Sequence, residues 1–398
     1  VYIVDGTRTA VGKHAGALKS VRPDDMAALL IKVIAERNLT GKGIPLTEIE
    51  DVLIGNANGA GEENRNVARM SLLLAGLPIE VAGATVNRLC GSGMQAVSDA
   101  ARAVAAGEGE CYIAGGVESM TRAPFVIAKN EDPWGRKAEI YDTTIGWRFT
   151  NPKLAKLYHP FSMGETAENV AEKYGISRER QDDFAYGSQM KAKDAITAGK
   201  FRDEITPVEI TSRKETVVFD TDEFPRFDTT VEKLGGLKPA FRKDGTVTAG
   251  NSSGINDGAS MLLIASEDFC KRAGLKPRAR IAATAVAGVD PSHMGIGPVP
   301  ATRKALKRAG LKLSDIELIE LNEAFASQSI ACIDLLGLDQ SRVNVNGGAI
   351  ALGHPLGSSG SRLLVTLLHE MEKQNMKLGL ATMCIGVGQG IATIIEKC

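Results

Sequence analysis

The stretch Val-Asn-Arg-Leu-Cys-Gly-Ser-Gly-Met at residues 86–94 joins a strand-like apolar run to a helix start marked by glycines. Gly107 closes the segment that follows. Between these points, apolar residues recur at helical spacing: Met94, Val97, Ala101 and Val104. This periodicity predicts an amphipathic helix, so we expect Cys90 at a helix N-terminus.

A cysteine at that position suits nucleophilic chemistry. Free amide N–H groups and the positive end of the helix dipole would favour the thiolate of Cys90 over its thiol. The same amides would stabilise negative charge on a carbonyl oxygen that the sulfur attacks. The alternative at this point is that Cys90 is a small buried apolar residue, which is common for free cysteines.

Composition excludes several classes of protein. The 398 residues suggest about two to three domains, and 43% hydrophobic residues with a net charge of −1 fit a globular protein without a basic nucleic-acid surface. No apolar run is long enough to span a membrane, and the six cysteines lack paired metal or disulfide spacing. We therefore expect a cytoplasmic protein without metal. Because Val1 already begins a predicted strand, a preceding segment stays an open alternative.

Uniformly apolar strands alternate with helices in both halves of the chain, which predicts an α/β fold with sheets covered on both faces. Residues 118–248 differ, since they contain both tryptophans and long charged stretches with little strand signal. The second half restarts the pattern of the first, so we expect an internal duplication. The expected domains are 1–117 and 249–272 for the first core, 118–248 for an inserted loop domain, and 273–398 for the second core.

Three further stretches place chemical groups beside glycines or at strand ends. His354 lies in a loop of small residues and would deprotonate Cys90, although a loop histidine is often structural. Cys384 ends a buried strand and is followed by three glycines at alternate positions, which core packing does not explain. Asn322 ends another strand, where it would either cap the next helix or orient a water molecule.

Together these stretches resemble the thiolase family over essentially the whole chain. The motifs appear in the order of the family: Asn-Arg-Leu-Cys-Gly-Ser-Gly at 87–93, Gly-Gly-Val-Glu-Ser-Met at 115–120, Asn-Glu-Ala-Phe-Ala at 322–326, Asn-Gly-Gly-Ala-Ile-Ala-Leu-Gly-His-Pro at 346–355 and Cys-Ile-Gly-Val-Gly-Gln-Gly at 384–390. The resemblance implies two similar αβαβα core domains, an inserted loop domain that binds coenzyme A (CoA), and a homodimer or homotetramer. It also implies acyl transfer between a 3-ketoacyl-CoA and CoA, or the reverse condensation of acetyl-CoA.

By this resemblance, Cys90 becomes acylated, His354 activates it, and Cys384 moves a proton on and off the acetyl-CoA carbon. His354 and a water held by Asn322 would stabilise the enolate oxygen. The amides of Cys90 and Gly386 would stabilise the second oxyanion. The resulting two-stage cycle uses CoA and acyl-CoA as substrates and needs no metal or redox cofactor.

Other residues match binding positions of the family. Ser253 corresponds to a serine that contacts pantetheine, and Arg226 to a basic residue near the nucleotide end of CoA. Met163, Met294 and Phe325 correspond to residues beside the thioester. The simpler interpretation is that the methionines and Phe325 belong to the core, and that Arg226 is a solvated charge.

The sequence at residues 161–164 bears on which acyl chain the protein accepts. Members specific for acetoacetyl-CoA resemble a Tyr-His-Met-Gly pattern, whereas this chain has Phe-Ser-Met-Gly at 161–164. Residues 62–69, 119–125 and 142–149 are similar to the 3-oxoadipyl-CoA branch. Since a dicarboxylic acyl chain needs a cationic partner, Arg122 or Arg148 would meet its distal carboxylate.

Several alternatives remain at this stage. Within the family, the alternative to the 3-oxoadipyl-CoA branch is an acetoacetyl-CoA thiolase. Outside it, a ketoacyl synthase would share the fold and the cysteine but would be expected to use two histidines. A non-catalytic acyl-CoA carrier would have no need of Cys90, His354 and Cys384. A cysteine hydrolase would release free acid without CoA.

Overall fold

A computed structural model describes residues 1–130 and 132–398. The strands are β1 Tyr2–Arg8, β2 Gly12–Lys13, β3 Asp51–Gly55, β4 Ala82–Val86, β5 Cys111–Ser119, β6 Phe125–Ile127, β7 Ile140–Asp142, β8 Val208–Thr211, β9 Thr216–Phe219, β10 Asn256–Ala265, β11 Ala279–Gly288, β12 Leu318–Leu321, β13 Leu378–Ile385 and β14 Gln389–Lys397. The helices are α1 Pro23–Asn38, α2 Val67–Leu74, α3 Ser92–Ala106, α4 Pro152–Leu157, α5 Met163–Tyr174, α6 Arg178–Thr197, α7 Val231–Gly235, α8 Glu267–Arg272, α9 Pro298–Ala309, α10 Ala326–Leu336, α11 Ala349–Leu352 and α12 Leu356–Gln374.

The two halves of the chain repeat one strand pattern, as the sequence predicted. In the first half β3 and β5 are parallel, and β10 then pairs antiparallel with both β5 and β1. In the second half β12 and β13 are parallel, and β14 pairs antiparallel with both β13 and β11. The two half-sheets meet where β1 pairs antiparallel with β11, which gives one ten-stranded sheet.

The layers are helix, sheet, helix, sheet, helix. Helices α3 and α12 form the central layer, and α12 packs on β5 and β10 of one half-sheet and on β12 and β13 of the other. Helix α1 covers the outer face of the first half, and α9 covers that of the second. Residues 357–371 of α12 are therefore buried all around the helix. Both faces of each half-sheet are covered, as the uniformly apolar strands predicted.

Glycines allow the first turns of α3 and α12 to lie in direct backbone contact. A Cβ atom on Gly93 would lie 2.6 Å from the carbonyl oxygen of Gly357. A Cβ atom on Gly360 would lie 2.5 Å from the amide nitrogen of Met94. Any larger residue at these positions would separate the helices. This close approach brings the Cys90 loop and the His354 loop, which precede the two helices, to the same place.

Residues 118–248 contain four helices and two short hairpins, β6 with β7 and β8 with β9. Ser177 is the N-cap of α6, where its hydroxyl accepts from the amide of Arg180. The sequence did not predict the hairpins, because their strands have three or four residues and few buried side chains. No helix in the described part of the chain is long and apolar enough to cross a membrane.

Candidate active site

Cys90 lies in a strained turn between β4 and α3. The preceding Leu89 has a φ of 47°, a left-handed conformation that is costly for a leucine. Its amide donates to Asn87 Oδ1 at 2.9 Å, and Ser92 Oγ donates to its carbonyl at 2.6 Å. Helix α3 begins at Ser92 with Gly91 as N-cap, so Cys90 precedes the helix by two residues. The turn holds Cys90 at the end of α3 by these local bonds.

Two opposing effects act on the ionisation of Cys90. Although the residue is partly exposed, burial raises the pKa of its thiol to about 11, and the amides of Gly386 and of Cys90 itself oppose the rise. Burial therefore works against the thiolate that the helix end favours. A neighbouring base is needed for Cys90 to react at neutral pH.

His354 is fixed from both sides by hydrogen bonds. Its backbone amide donates to Asn256 Oδ1 at 3.0 Å, and its Nδ1 lies 2.6 Å from Ser359 Oγ. The Ser359 hydroxyl also donates to the carbonyl of Pro355 at 2.9 Å, so it has no second proton for the ring. Nδ1 therefore carries the proton and donates to Ser359. The lone pair then belongs to Nε2, which is the atom able to accept a proton.

Asn322 faces that nitrogen. Its Nδ2 lies 3.5 Å from His354 Nε2, and its Oδ1 is buried without a hydrogen-bond partner among the described residues. Helix α10 begins only at Ala326 and has Phe325 as N-cap, so Asn322 does not cap it. Burial and the charge of Arg362 lower the pKa of His354 to about 3, which leaves the imidazole neutral at physiological pH.

Cys384 lies near the end of strand β13, and Gly386 directly follows the strand. Cys384 is 2% exposed, and burial followed by the proximity of Cys90 raises the pKa of its thiol well above the usual value. The amide of Gly386 points at the Cys90 sulfur. Val387 follows with a φ of 62°, so strained backbone flanks this side of the site as well. The structure thus brings Cys90, Cys384 and Gly386 together.

An apolar wall adjoins Cys384. Met294 and Phe325 are buried in one cluster with Cys384, and the partly buried Met163 packs against it. A Cβ atom on Gly386 would lie 3.4 Å from Met163 Sδ. Ser253 lies at the edge of this wall, where its amide donates to the carbonyl of Ala324 at 3.0 Å.

The remaining predicted cations differ in their surroundings. Arg226 is exposed, and its guanidinium lies 5.6 Å from the centre of the Phe224 ring. The structure does not bring Arg226 together with Cys90, Cys384 and Gly386. Arg122 is held by both oxygens of Glu62, at 2.5 and 2.6 Å. Arg148 Nη2 instead donates to the neutral Asn58 Oδ1 at 3.1 Å, and no carboxylate among the described residues pairs with it.

Sequence reasoning missed several buried partners of the site. Glu118 of β5 accepts from the amides of Ala57 at 2.8 Å, Asn58 at 3.1 Å and Gly357 at 2.8 Å. Burial raises the pKa of Glu118 to about 7, against these amides. It lay within a quoted motif, but its role as a junction of three loops needs the folded chain. Ser359 and Asn256 gave no signal, since each contacts His354 only after folding.

The site combines two cysteines and a neutral histidine with amides that point at the sulfur of Cys90. On an α/β scaffold, this combination defines an enzyme of acyl-transfer chemistry. Comparisons with known proteins agree. The model of the thiolase N-terminal domain matches residues 1–268, and that of the thiolase C-terminal domain matches residues 275–397. The chain belongs to the thiolase family and is an acyltransferase.

Named relatives extend over the full length. The chain is 55% identical to the beta-ketoadipyl-CoA thiolase of Acinetobacter baylyi, over 100% of this chain and 99% of that protein. It is 55% identical to the 3-oxoadipyl-CoA/3-oxo-5,6-dehydrosuberyl-CoA thiolase of Escherichia coli over the same shares. The crystal structure of the Bacillus anthracis acetyl-CoA acetyltransferase matches with a TM-score of 0.92 and 43% identity, covering 100% of this chain and 98% of that one.

Thiolase membership decides among the alternatives left by the sequence. The chain transfers acyl groups between 3-ketoacyl-CoA and CoA, and its substrates are acyl-CoA and CoA. A ketoacyl synthase, a non-catalytic carrier and a cysteine hydrolase are thereby set aside. The fold is the thiolase fold that the resemblance implied.

Proposed function

We propose that this thiolase cleaves 3-oxoadipyl-CoA with CoA, giving acetyl-CoA and a four-carbon dicarboxylic acyl-CoA. The observation that carries the proposal is Arg148, a cation without a carboxylate partner among the described residues. The full-length relatives named for beta-ketoadipyl-CoA support it at 54–55% identity. The acetyl-CoA acetyltransferase of Escherichia coli, at 50%, supports acetoacetyl-CoA cleavage as the second candidate.

The position of Arg148 suits a distal carboxylate. The indole Nε1 of the adjacent Trp147 donates to the carbonyl of Phe161 at 2.9 Å, two residues before Met163. On its other side Arg148 reaches Asn58, whose amide donates to Glu118 beside the His354 loop. Arg148 is therefore linked to the His354 loop through Asn58 and Glu118, and its neighbour Trp147 is bonded to the segment just before Met163. Arg122 is less suited, because Glu62 already neutralises it.

The proposed first half-reaction uses the residues around Cys90. His354 Nε2 accepts the Cys90 proton as the sulfur attacks the 3-keto carbon, and the amides of Cys90 and Gly386 stabilise the oxyanion. The bond between the second and third carbons then breaks, which leaves an acyl-Cys90 thioester and the enolate of acetyl-CoA. His354 and a water on Asn322 Oδ1 stabilise the enolate oxygen. The proton passes to the enolate carbon through Cys384.

The second half-reaction returns the enzyme to its starting state. The thiol of CoA attacks the acyl-Cys90 carbonyl, and its proton passes through His354 to the departing Cys90 sulfur. No metal or redox group takes part in the proposed cycle. We propose residues 118–248 as the loop domain over the CoA arm, between core domains 1–117 with 249–272 and 273–398. Ser253 would contact the pantetheine and Arg226 the nucleotide end.

Replacement of Arg148 tests the acyl chain. In Arg148→Leu we expect kcat/KM for 3-oxoadipyl-CoA to fall about 10- to 100-fold, because a charge-assisted hydrogen bond contributes about 1.5–3 kcal/mol. Activity on acetoacetyl-CoA, which has no distal carboxylate, should change less than about twofold. Steady-state kinetics with both substrates on both proteins measures the difference.

Arg122→Leu is the matched control, since this cation is already paired with Glu62. It should preserve the preference for 3-oxoadipyl-CoA. Equal catalytic efficiency of the unaltered enzyme on both substrates, unchanged in Arg148→Leu, would remove the basis of the proposal and favour the acetoacetyl-CoA candidate.

We also propose that the chain forms a homo-oligomer. Strand β4 is an edge of the ten-stranded sheet and ends beside the Cys90 loop, so its free backbone groups are available to a second copy. Large apolar side chains are exposed on the β6–β7 hairpin: Phe125 at 72%, Ile127 at 59% and Ile140 at 62%.

Phe125→Asp with Ile140→Lys should lower the molar mass measured by light scattering if the hairpin joins copies. An unchanged mass would leave the β4 edge as the contact, and a monomeric unaltered protein would refute the proposal.

A further inference from the structure

An ion pair is buried behind His354, outside the groups that the proposed cycle uses. Arg362 of α12 is 3% exposed and Glu320 of β12 is 1% exposed. Arg362 Nη1 lies 3.2 Å from Glu320 Oε2. The Nη2 of Arg362 has no hydrogen-bond partner among the described residues. Burying a guanidinium group with an incomplete set of partners is unfavourable, so a gain in stability does not account for this pair.

Among the described residues, Arg362 is the one cation that pairs with Glu320. Three further carboxylates approach it, and burial, with their charges, raises the pKa of Glu320 to about 8 against the effect of Arg362. Each of the three has its own partners: Glu204 binds Arg8, Glu370 binds Lys200, and Glu323 accepts from Ser188 and Asn344. Arg362 is therefore the cation that pairs with Glu320 among the described residues, and it lowers the pKa of this carboxyl against the effect of burial.

The pair joins the two elements that carry His354 and Asn322. One turn before Arg362 on α12, Ser359 holds His354 Nδ1 at 2.6 Å. Two residues after Glu320, at the end of β12, Asn322 approaches His354 Nε2 at 3.5 Å. A shift of α12 along β12 would change this spacing directly. Among the described residues, the bond from Arg362 to Glu320 is the one side-chain hydrogen bond that joins α12 to β12, so it can fix the register of the helix on the strand.

We propose that Arg362 and Glu320 are positioning residues that set the spacing between His354 and Asn322 by fixing α12 against β12. The inference rests on the proposed role of these two groups at the enolate oxygen. Neither member of the pair touches the reacting atoms in this arrangement. The positive charge of Arg362 also helps to keep His354 ready to accept a proton. Together with burial, this charge lowers the pKa of His354 to about 3 and so keeps its Nε2 unprotonated.

An apolar replacement of the pair separates positioning from stability. In the double variant Arg362→Met with Glu320→Leu, the melting temperature should stay level or rise, since apolar residues of similar size replace buried ion pairs without loss. We expect kcat for cleavage of acetoacetyl-CoA to fall roughly 10- to 100-fold, because a displacement of about 1 Å can lower a rate by about 100-fold. KM for CoA should stay within about twofold, since no CoA-binding group is altered.

Deuterium exchange at the acetyl carbon of acetyl-CoA gives the specific readout. Exchange requires the enolate and should fall with kcat, whereas acetylation of Cys90 by acetyl-CoA does not form an enolate and should fall much less. Arg362→Lys retains a charge at the same position and should recover part of the exchange rate. The control pair Arg278→Met with Glu372→Leu, at the far end of α12, should leave both rates unchanged.

Two results would overturn the inference. The first is a double variant that exchanges deuterium at the normal rate. The second is a double variant that loses thermal stability in proportion to activity, together with an Arg362→Lys variant that recovers neither the stability nor the activity. The use of acetoacetyl-CoA keeps this test independent of the acyl-chain proposal, which is judged on the unaltered enzyme with 3-oxoadipyl-CoA. If Asn322→Ala leaves deuterium exchange intact, the proposed enolate site itself fails, whatever the pair does.

Discussion

Cys90→Ser is expected to lower kcat for thiolysis by about four orders of magnitude or more, the scale seen when a catalytic nucleophile is removed. Serine preserves the shape of the residue, but its hydroxyl is a much weaker nucleophile than sulfur beside the same base. Mass spectrometry of the intact protein, after mixing with a 3-ketoacyl-CoA in the absence of CoA, should find the acyl adduct on the unaltered enzyme and none on the variant.

Cys398→Ser is the control, because this cysteine is exposed at the end of the chain and lies outside the site. It should acylate and turn over normally. Retention of thiolysis in Cys90→Ser, or an adduct that maps to another cysteine, would contradict the assignment of Cys90 as the nucleophile.

The raised pKa of Cys90 predicts that alkylation of its sulfur depends on pH. A thiol with a pKa of about 11 is protonated throughout the neutral range, so the fraction of thiolate rises tenfold for each pH unit below that value. In His354→Gln, which lacks the base, alkylation of Cys90 by iodoacetamide should therefore increase steadily from pH 7 to pH 10. A plateau beginning near pH 7 would mean that the thiolate is stabilised in the free protein after all.

The local sequence predicted the elements of the site well, because each is marked by short-range chemistry. The glycines around Cys90 and the apolar spacing after it gave the start of α3 within two residues. The apolar run before Cys384 predicted the end of β13, which carries the motif that contains this cysteine. The order of strands and helices also indicated the duplication, because the pairing of β3, β5, β10 and β1 corresponds to that of β12, β13, β14 and β11.

Properties that depend on enclosure or on distant contacts could not be predicted in this way. The sequence favoured a Cys90 thiolate because it reveals the helix end but not the burial that opposes it. It left the role of Asn322 open, since only the fold shows that α10 begins after the loop. It could not separate Arg122 from Arg148, because the bond from Arg122 to Glu62 spans 60 positions. The same applies to Arg362, whose partner lies 42 positions away.

Cys384→Ala is expected to separate the two chemistries of the enzyme. In the proposed cycle, Cys384 passes the proton to the enolate carbon, a contribution of about 10²- to 10⁴-fold for a positioned acid or base. We expect thiolysis, and deuterium exchange at the acetyl carbon of acetyl-CoA, to fall by about 10³-fold. Acetylation of Cys90 by acetyl-CoA breaks only the thioester bond, so its rate should change by less than about tenfold.

Cys332→Ala provides a matched control in the same region. This cysteine is also fully buried, and its sulfur donates to the carbonyl of Gly295 beside Met294, but its side chain belongs to the α10 core cluster. Its loss should affect stability and leave the ratio of exchange to acetylation unchanged. If Cys384→Ala instead reduces both reactions equally, Cys384 acts on the reactivity of Cys90 and not on the carbon. The proton would then have to reach the enolate from His354, which is the nearest alternative acid that the site contains.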